Sequence, residues 1–342
     1  MSGSAVVAGA GPAGLSAALG LARLGFSVQV CEEKKGWDPR VCGAFLSPES
    51  ISHLRWLGID QEIEALGVPC REVQVHSAGK TGIIPFEDGS NPGLAVSRRD
   101  LEEVLRTRAE KEGVQILFGK KVLERPSCDV FVAACGRFSR FRNSHARQKK
   151  AGWAAFNAEW NGARQKPGEM SLHFFPNAYV GTLTFKNGIT NVSGLVHSDF
   201  IKNVPGGWDA VITFMRQRDS ALEGILQSAQ RSEPFKGIPF LPFGTHFKGG
   251  QDYYSVGDNA LVGDPFMGEG ISRALSSGRM IYEARKNGGD FFEIWKKSYG
   301  QREFLGRVFR ALLASRTGSR ALFYLLMEVP LIRSWVLRRI HR

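Results

Sequence analysis

Cysteine is scarce: Cys31, Cys42, Cys70, Cys128 and Cys135 are the whole set. No two of them stand at C-x-x-C or Cys/His metal spacing. An odd, scattered set in a chain of 342 residues excludes a disulfide framework and reads as free thiols in a reducing, cytoplasmic setting. Uninterrupted apolar runs of about 20 residues are missing too, so no membrane-spanning helix is expected. The opening MSGSAVVAGAGPAGLSAALGLA is apolar but broken by glycine and lacks a basic leader. It therefore belongs to the fold and is not a signal peptide. Internal repeats and low-complexity linkers are absent as well, which points to domains that interleave.

What is abundant is glycine, with 40 residues, and positive charge, with 45 Lys and Arg against 33 Asp and Glu for a net +12. Many glycines mean tight turns and close approaches to a ligand. A 43% hydrophobic share supplies a globular core and excludes a disordered chain. At roughly 150 residues per domain, the length allows two domains.

The first 33 residues carry the sharpest signal. Ala5 to Ala8 reads as a buried strand, GAGPAG follows, Leu15 to Leu24 is helix-periodic, and Phe26 to Cys31 is a second strand ending in Glu32 and Glu33. Gly9, Gly11 and Gly14 form G-x-G-x-x-G in the context that motif requires, with Pro12 and Ala13 inside the turn. The first glycine makes the tight turn, the second lets a pyrophosphate approach, and the third lets helix and strand pack. The helix start offers unpaired N–H groups and partial positive charge to the phosphates. Glu32, with Glu33 beside it, would accept hydrogen bonds from an adenosine ribose and would repel a 2′-phosphate. The residues imply a dinucleotide, NAD or FAD in preference to NADP.

Further along, helices are expected at Ser47 to Leu57, Arg99 to Lys111, Trp208 to Arg218 and Ile271 to Ala284. Strands are expected at Val73 to His76, Thr81 to Phe86, Val114 to Phe118, Val130 to Ala134 and Asn259 to Val262. Between Trp153 and Ser198 several strands follow one another with turn residues between them, which suggests an antiparallel sheet.

The segment GDPFMGEGISRALSSG, Gly263 to Gly278, resembles the second FAD motif of the para-hydroxybenzoate hydroxylase and geranylgeranyl reductase superfamily. The resemblance implies that Gly263 and Asp264 end a strand and that Asp264 binds the ribityl chain. It also implies that Pro265, Gly268, Gly270 and Ile271 open a helix facing the flavin, whose dipole would stabilise an anionic reduced ring. SRRDLEEVL resembles the family's Arg-x-x-Leu-Asp-x-x-Leu helix and places Arg98 near the cofactor, with Glu102 in the aspartate position. VCGAFLSPESISHLRWLGI resembles the geranylgeranyl-reductase-like branch and puts Cys42 beside flavin and substrate. AYVGTLTFKNGITNVSGLV resembles the substrate-sheet hairpin and brings Tyr179 into the pocket.

Departures are equally informative. Cys135 stands where the monooxygenases of the superfamily carry an aspartate tied to FAD and NAD(P)H handling, in FVAACGRFSRFR. Asp264 and Pro265 are adjacent, although family members place several residues between them. A second G-x-G-x-x-G of good context is absent, so NAD(P)H as electron donor would bind without its own domain. No Trp-x-Trp-x-Ile-Pro halogenase segment occurs.

From Gln301 to Arg342 there are nine Arg against Glu303 and Glu328, interleaved with Phe304, Leu312, Phe323, Trp335 and other apolar residues. Such basic amphipathic helices either pack on their own domain with a solvated basic face or lie on an anionic membrane surface. A nucleic-acid motif is lacking, and no nucleic-acid partner is expected.

The expected fold is α/β: a doubly wound FAD-binding domain with an inserted antiparallel β-sheet substrate domain and a helical C-terminus. Residues 1–70, 94–150 and 245–290 would form the first, 71–93 and 151–244 the second, and 291–342 the helical region. The expected activity is that of an FAD-dependent oxidoreductase on a lipophilic small molecule. In the reductase reading, hydride adds to a carbon–carbon double bond and Cys42 or Tyr179 supplies the proton. The alternative is a flavin-dependent monooxygenase acting on an aromatic or polyketide substrate. A flavin-binding protein without catalysis is the remaining class.

Overall fold

The structure is a computed structural model that describes residues 3–38, 40–86, 92–142, 152–246 and 252–329. Its first layer is a five-stranded parallel sheet in the order Tyr254–Ser255, Val130–Ala133, Ser4–Ala8, Ser27–Glu32, Gln115–Phe118. Ser4–Ala8 is central because its Val and Ala side chains are apolar on both faces, as a covered parallel strand requires. The helix Pro12–Ala22 leaves this strand and is buried over almost its whole length. It lies against the helix Gly270–Asn287 at backbone contact: a Cβ on Gly278 would stand 2.0 Å from the Ser16 carbonyl oxygen. Ser16 fixes the crossing, donating through Oγ to the Leu275 carbonyl (2.5 Å) and accepting from the Gly278 N–H (3.0 Å).

A second, eight-stranded sheet runs from Gln230–Arg231 through Trp153–Asn161, Thr190–His197, Ala178–Thr184, Met170–Phe175 and Glu72–Ser77 to Lys80–Pro85, with Lys236–Ile238 alongside. The expected antiparallel character holds with one exception. Glu72–Ser77 pairs in parallel with Met170–Phe175, bringing His76 opposite His173. One face of this sheet packs on the helices Gly207–Arg216 and Ser220–Leu226. The other face carries Val73, Val75, Leu172 and Phe174 toward the C-terminal helices Phe291–Leu313 and Arg316–Glu328.

The strand expected at Asn259 to Val262 is mostly not one. Gly257–Asn259 forms a single 3-10 turn, and Leu261–Val262 pairs antiparallel with Gly244–Thr245, away from the parallel sheet. Two residues, Tyr254–Ser255, take the place on the parallel sheet instead. The C-terminal tail from residue 330, with Leu331, Trp335 and Ile340 of the amphipathic pattern, lies outside the described residues. Among the described residues no helix is long and apolar enough to cross a membrane, and no cluster of His, Cys, Asp and Glu could hold a metal.

Candidate active site

A cavity of about 940 Å³ runs from the end of the parallel sheet to the second sheet. At its first end Gly9, Gly11, Pro12 and Ala13 form the wall. Gly14 stands behind them, where a Cβ would lie 1.9 Å from the Gly9 carbonyl oxygen, so only glycine lets the helix start so close to its strand. At Gly11 the opposite holds: a Cβ would meet nothing within 4 Å. The space beside it belongs to the cavity. Gly11 is also the N-cap, and no side chain caps the helix. The first-turn N–H groups are left for a ligand.

Glu32 is buried at the same end. Its carboxylate accepts from the Ala10 N–H (2.9 Å) and the Lys34 N–H (3.0 Å), which fix it at the cavity wall. Glu33 also borders the cavity but pairs with Lys121 at 2.8 Å, and that bond holds its carboxyl below the usual range.

Midway along, Cys42, Arg98 and Glu102 form one group on the wall. Ser97 caps the helix Arg98–Lys111 by accepting from the Asp100 N–H (3.0 Å), which sets Arg98 in the first turn. The Arg98 guanidinium bonds to the Glu102 carboxylate and stands beside Cys42. Burial opposes its charge, and these two partners more than offset it, raising Arg98 above its ordinary value. The Ala44 N–H also points at Cys42 Sγ, at 3.3 Å, from a backbone in the left-handed region (φ 57°). Asn191 of the second sheet holds the loop by donating to the Cys42 carbonyl at 3.0 Å.

Gly263, Pro265, Gly268, Gly270 and Ile271 border the cavity, and the helix Gly270–Asn287 opens toward it. Asp264 lines the cavity too, with its carboxylate engaged inside the protein. Oδ1 accepts from the Phe266 N–H (3.1 Å) and Oδ2 from Arg310 (3.1 Å), and the side chain is 1% exposed. Burial pushes this carboxyl up to about 6 against the pull of Arg310. The pair that ends a strand of the parallel sheet is Gly257 and Asp258, immediately after Tyr254–Ser255 and Val256. Asp258 borders the cavity, partly exposed, with Arg137 at 3.1 Å and Arg273 at 3.7 Å. Gly257 packs on the glycine turn, where a Cβ would come 2.6 Å from the Ala13 methyl.

Tyr179 lines the far end, buried against Phe266 with ring centroids 6.0 Å apart. Burial, helped by the Asp264 charge, raises its hydroxyl well above the usual tyrosine value, so it stays a phenol. Around it the wall is apolar, with Val73, Val75, Ile84, Leu172, Leu241 and Leu326.

An uncapped helix start, an open Gly11 and buried Nε atoms on Arg98 and Arg273 with no partner among the described residues all fit an adenine dinucleotide. Residues 3–135 match the FAD binding domain family. The chain is 27% identical to a menaquinone reductase of Mycolicibacterium smegmatis, over 85% of this chain and 78% of that one. It is 24% identical to 3-hydroxybenzoate 6-hydroxylase of Polaromonas naphthalenivorans, over 92% of this chain and 87% of that one. Its fold superposes on a geranylgeranyl bacteriochlorophyll reductase-like protein from Thermoplasma acidophilum with TM-score 0.79 and 17% identity, covering 99% of this chain and 95% of the other. The chain carries an FAD binding domain and is an FAD-dependent oxidoreductase.

Sequence reading of this flavoenzyme missed Asp258 together with its partners Arg137 and Arg273. The signal was present. Six residues separate Asp258 from Pro265, the spacing that the pair at Gly263 lacks. Cys135 sits beside the glycine turn, its Sγ 3.3 Å from the Ala8 carbonyl oxygen.

Proposed function

We propose that this flavoenzyme is a reductase that saturates a carbon–carbon double bond in a lipophilic, isoprenoid-type molecule. The observation that carries the reading is the apolar half of the cavity, which meets the Cys42–Arg98–Glu102 group and offers a polar substrate nothing along Val73, Val75, Ile84 and Leu172. Such a wall selects by burying hydrocarbon, about 0.8 kcal/mol per CH₂ group. The likeness to a menaquinone reductase supports the same class, since menaquinone is a lipid quinone.

Gly9, Gly11 and the helix start, which Gly14 lets pack close to its strand, would hold the FAD pyrophosphate. Glu32 would hold the adenosine ribose, Asp258 the ribityl chain, and Gly268, Gly270 and Ile271 the flavin end. Bound FAD supplies hydride chemistry. The chain supplies the rest. Its apolar wall excludes water, and Cys42 gives its thiol proton to the second carbon of the double bond. The resulting thiolate is met by the Ala44 N–H already aimed at the sulfur and by the positive charge of Arg98 beside it. Charge-assisted bonds of this kind are the strong ones. Glu102 keeps Arg98 in place. Tyr179, kept as a phenol, lines the substrate end of the cavity.

The test is anaerobic stopped-flow. Chemically reduced enzyme is mixed with a polyprenyl alcohol, whose only reducible groups are its double bonds, and flavin absorbance at the oxidised band is followed. Reoxidation without oxygen is expected. Reoxidation only on admitting oxygen would replace this reading with the monooxygenase one, which the likeness to 3-hydroxybenzoate 6-hydroxylase favours.

A further inference from the structure

We propose that the outward side of the C-terminal helix pair, Phe291–Leu313 and Arg316–Glu328, docks on an anionic lipid bilayer. The inward side is fully engaged. Phe309, Leu313, Leu322, Phe323 and Leu326 pack with Val73, Val75 and Leu172 of the second sheet. Met327 fills the notch left by Gly82, where a Cβ would come 2.0 Å from its sulfur. The outward side is different. Phe304 is 60% exposed, Tyr324 58% and Val308 37%. Water around two large aromatic rings and a valine is unfavourable, and the headgroup boundary of a bilayer accommodates such side chains.

Charge completes the pattern. From Phe291 to Glu328 the sequence holds seven Lys and Arg against Glu293, Glu303 and Glu328. Two of these arginines are neutralised inside the protein, Arg302 by Glu49 at 2.8 Å and Arg310 by Asp264 at 3.1 Å. Lys296, Lys297, Arg307, Arg316 and Arg320 remain exposed, and among the described residues only Arg307 of these has an ion-pair partner, Glu303 at 3.8 Å. The sequence beyond Glu328 adds four Arg and no acid. Positive charge interleaved with exposed Phe, Tyr and Val fits lipid headgroups over an acyl layer. A nucleic-acid backbone would recognise the charge and leave the rings in water.

The same helix that exposes Arg320 and Tyr324 lines the cavity with Leu326. A lipophilic substrate dissolved in the bilayer would then have one helix between it and the site. That link rests on the proposed reductase reading, whereas the docking itself does not.

The test is co-sedimentation of the full-length protein, without substrate, on vesicles of phosphatidylcholine with phosphatidylglycerol and on phosphatidylcholine alone. Binding to the anionic vesicles that weakens with salt is expected, with little on the neutral ones. The double variant R316Q/R320Q should weaken it by on the order of 30-fold, from about 1 kcal/mol per arginine near the surface. Phe304→Ser with Tyr324→Ser should weaken it on both charge backgrounds while thermal unfolding stays at the wild-type temperature. The proposal is overturned if the wild-type chain ignores anionic vesicles, or if R316Q/R320Q binds as tightly. It is equally overturned if the Phe304 and Tyr324 variant turns a dimer into a monomer, which would make the face a contact between copies. Failure of olefin reduction would leave vesicle binding unchanged, so the two readings fall separately.

Discussion

Alanine at Gly11 and alanine at Gly14 should have opposite consequences, although the residues share one motif. At Gly11 the backbone is extended (φ −74°, ψ 177°) and a Cβ would meet nothing within 4 Å. The protein without cofactor has no reason to resist the change. Restricting the unfolded chain should even stabilise it, by about 0.4–1 kcal/mol. With FAD the methyl occupies the space that the pyrophosphate would take against the helix start. Displacing one bond between an N–H and a charged oxygen costs about 1.5–3 kcal/mol, a loss of affinity of about 10- to 200-fold. At Gly14 the added Cβ would stand 1.9 Å from the Gly9 carbonyl oxygen, against an ordinary contact of about 3.5 Å. The helix must lift from its strand, which costs about 1–3 kcal/mol or more for overpacking. The better helix propensity of alanine offsets at most about 1 kcal/mol of that. Differential scanning fluorimetry of the flavin-free variants, with FAD titrations followed by flavin fluorescence, reads both effects. The reasoning is refuted if Gly11→Ala binds FAD like wild type, or lowers the flavin-free Tm as much as Gly14→Ala does.

Three further outcomes follow from the site. Cys42→Ala should cut turnover per bound flavin by about 10²- to 10⁴-fold, the range for a general acid, with FAD content and Tm near wild type; intact turnover removes Cys42 from the chemistry. Asp258→Asn should lower the FAD content of purified protein, whereas Asp264→Asn, whose carboxylate is held by Arg310 and the Phe266 N–H, should keep its flavin; absorbance ratios at equal protein concentration decide. Burial, against the pull of Arg302 and Arg273, pushes the Glu269 carboxyl up to about 7 from its ordinary 4.5. The native state therefore holds that proton more tightly than the unfolded chain. Stability should fall as pH rises from about 4.5 to 7, by up to about 3 kcal/mol. Glu269→Gln should flatten that stretch of a urea-denaturation series, and an unchanged slope would show that other groups produce it.

Local features of the fold were legible in the sequence. The strand, glycine turn and helix at residues 4 to 22 depend on neighbours within a few positions, and their residues carry the pattern openly. Pairing was less legible. Ahead of the helix that begins at Gly270 the sequence offers Gly-Asp pairs at Gly257 and at Gly263, and nothing within either tells which one ends the parallel sheet. Only the alignment of Tyr254 with Val132 and Ser255 with Ala133 settles it. The parallel step from His76 to His173 was hidden for the same reason, because partner choice lies about a hundred residues away. Arg98 and Cys42 were each read from a family likeness, but their contact, made across 56 positions of sequence, belongs to tertiary structure. In the C-terminal helices the amphipathic pattern was clear. Which apolar residues turn inward, Leu322 and Leu326, and which remain outside, Phe304 and Tyr324, needed the packing partner.

The most direct measurement of the central claim is the mass of the product. Reduced enzyme is incubated without oxygen with a polyprenyl alcohol, which has no quinone ring to take up hydrogen, and the extracted lipid is analysed by mass spectrometry. Saturation of a double bond predicts a gain of two hydrogens, formed anaerobically and lost in Cys42→Ala. A product that appears only in air and carries an added oxygen atom would contradict the account.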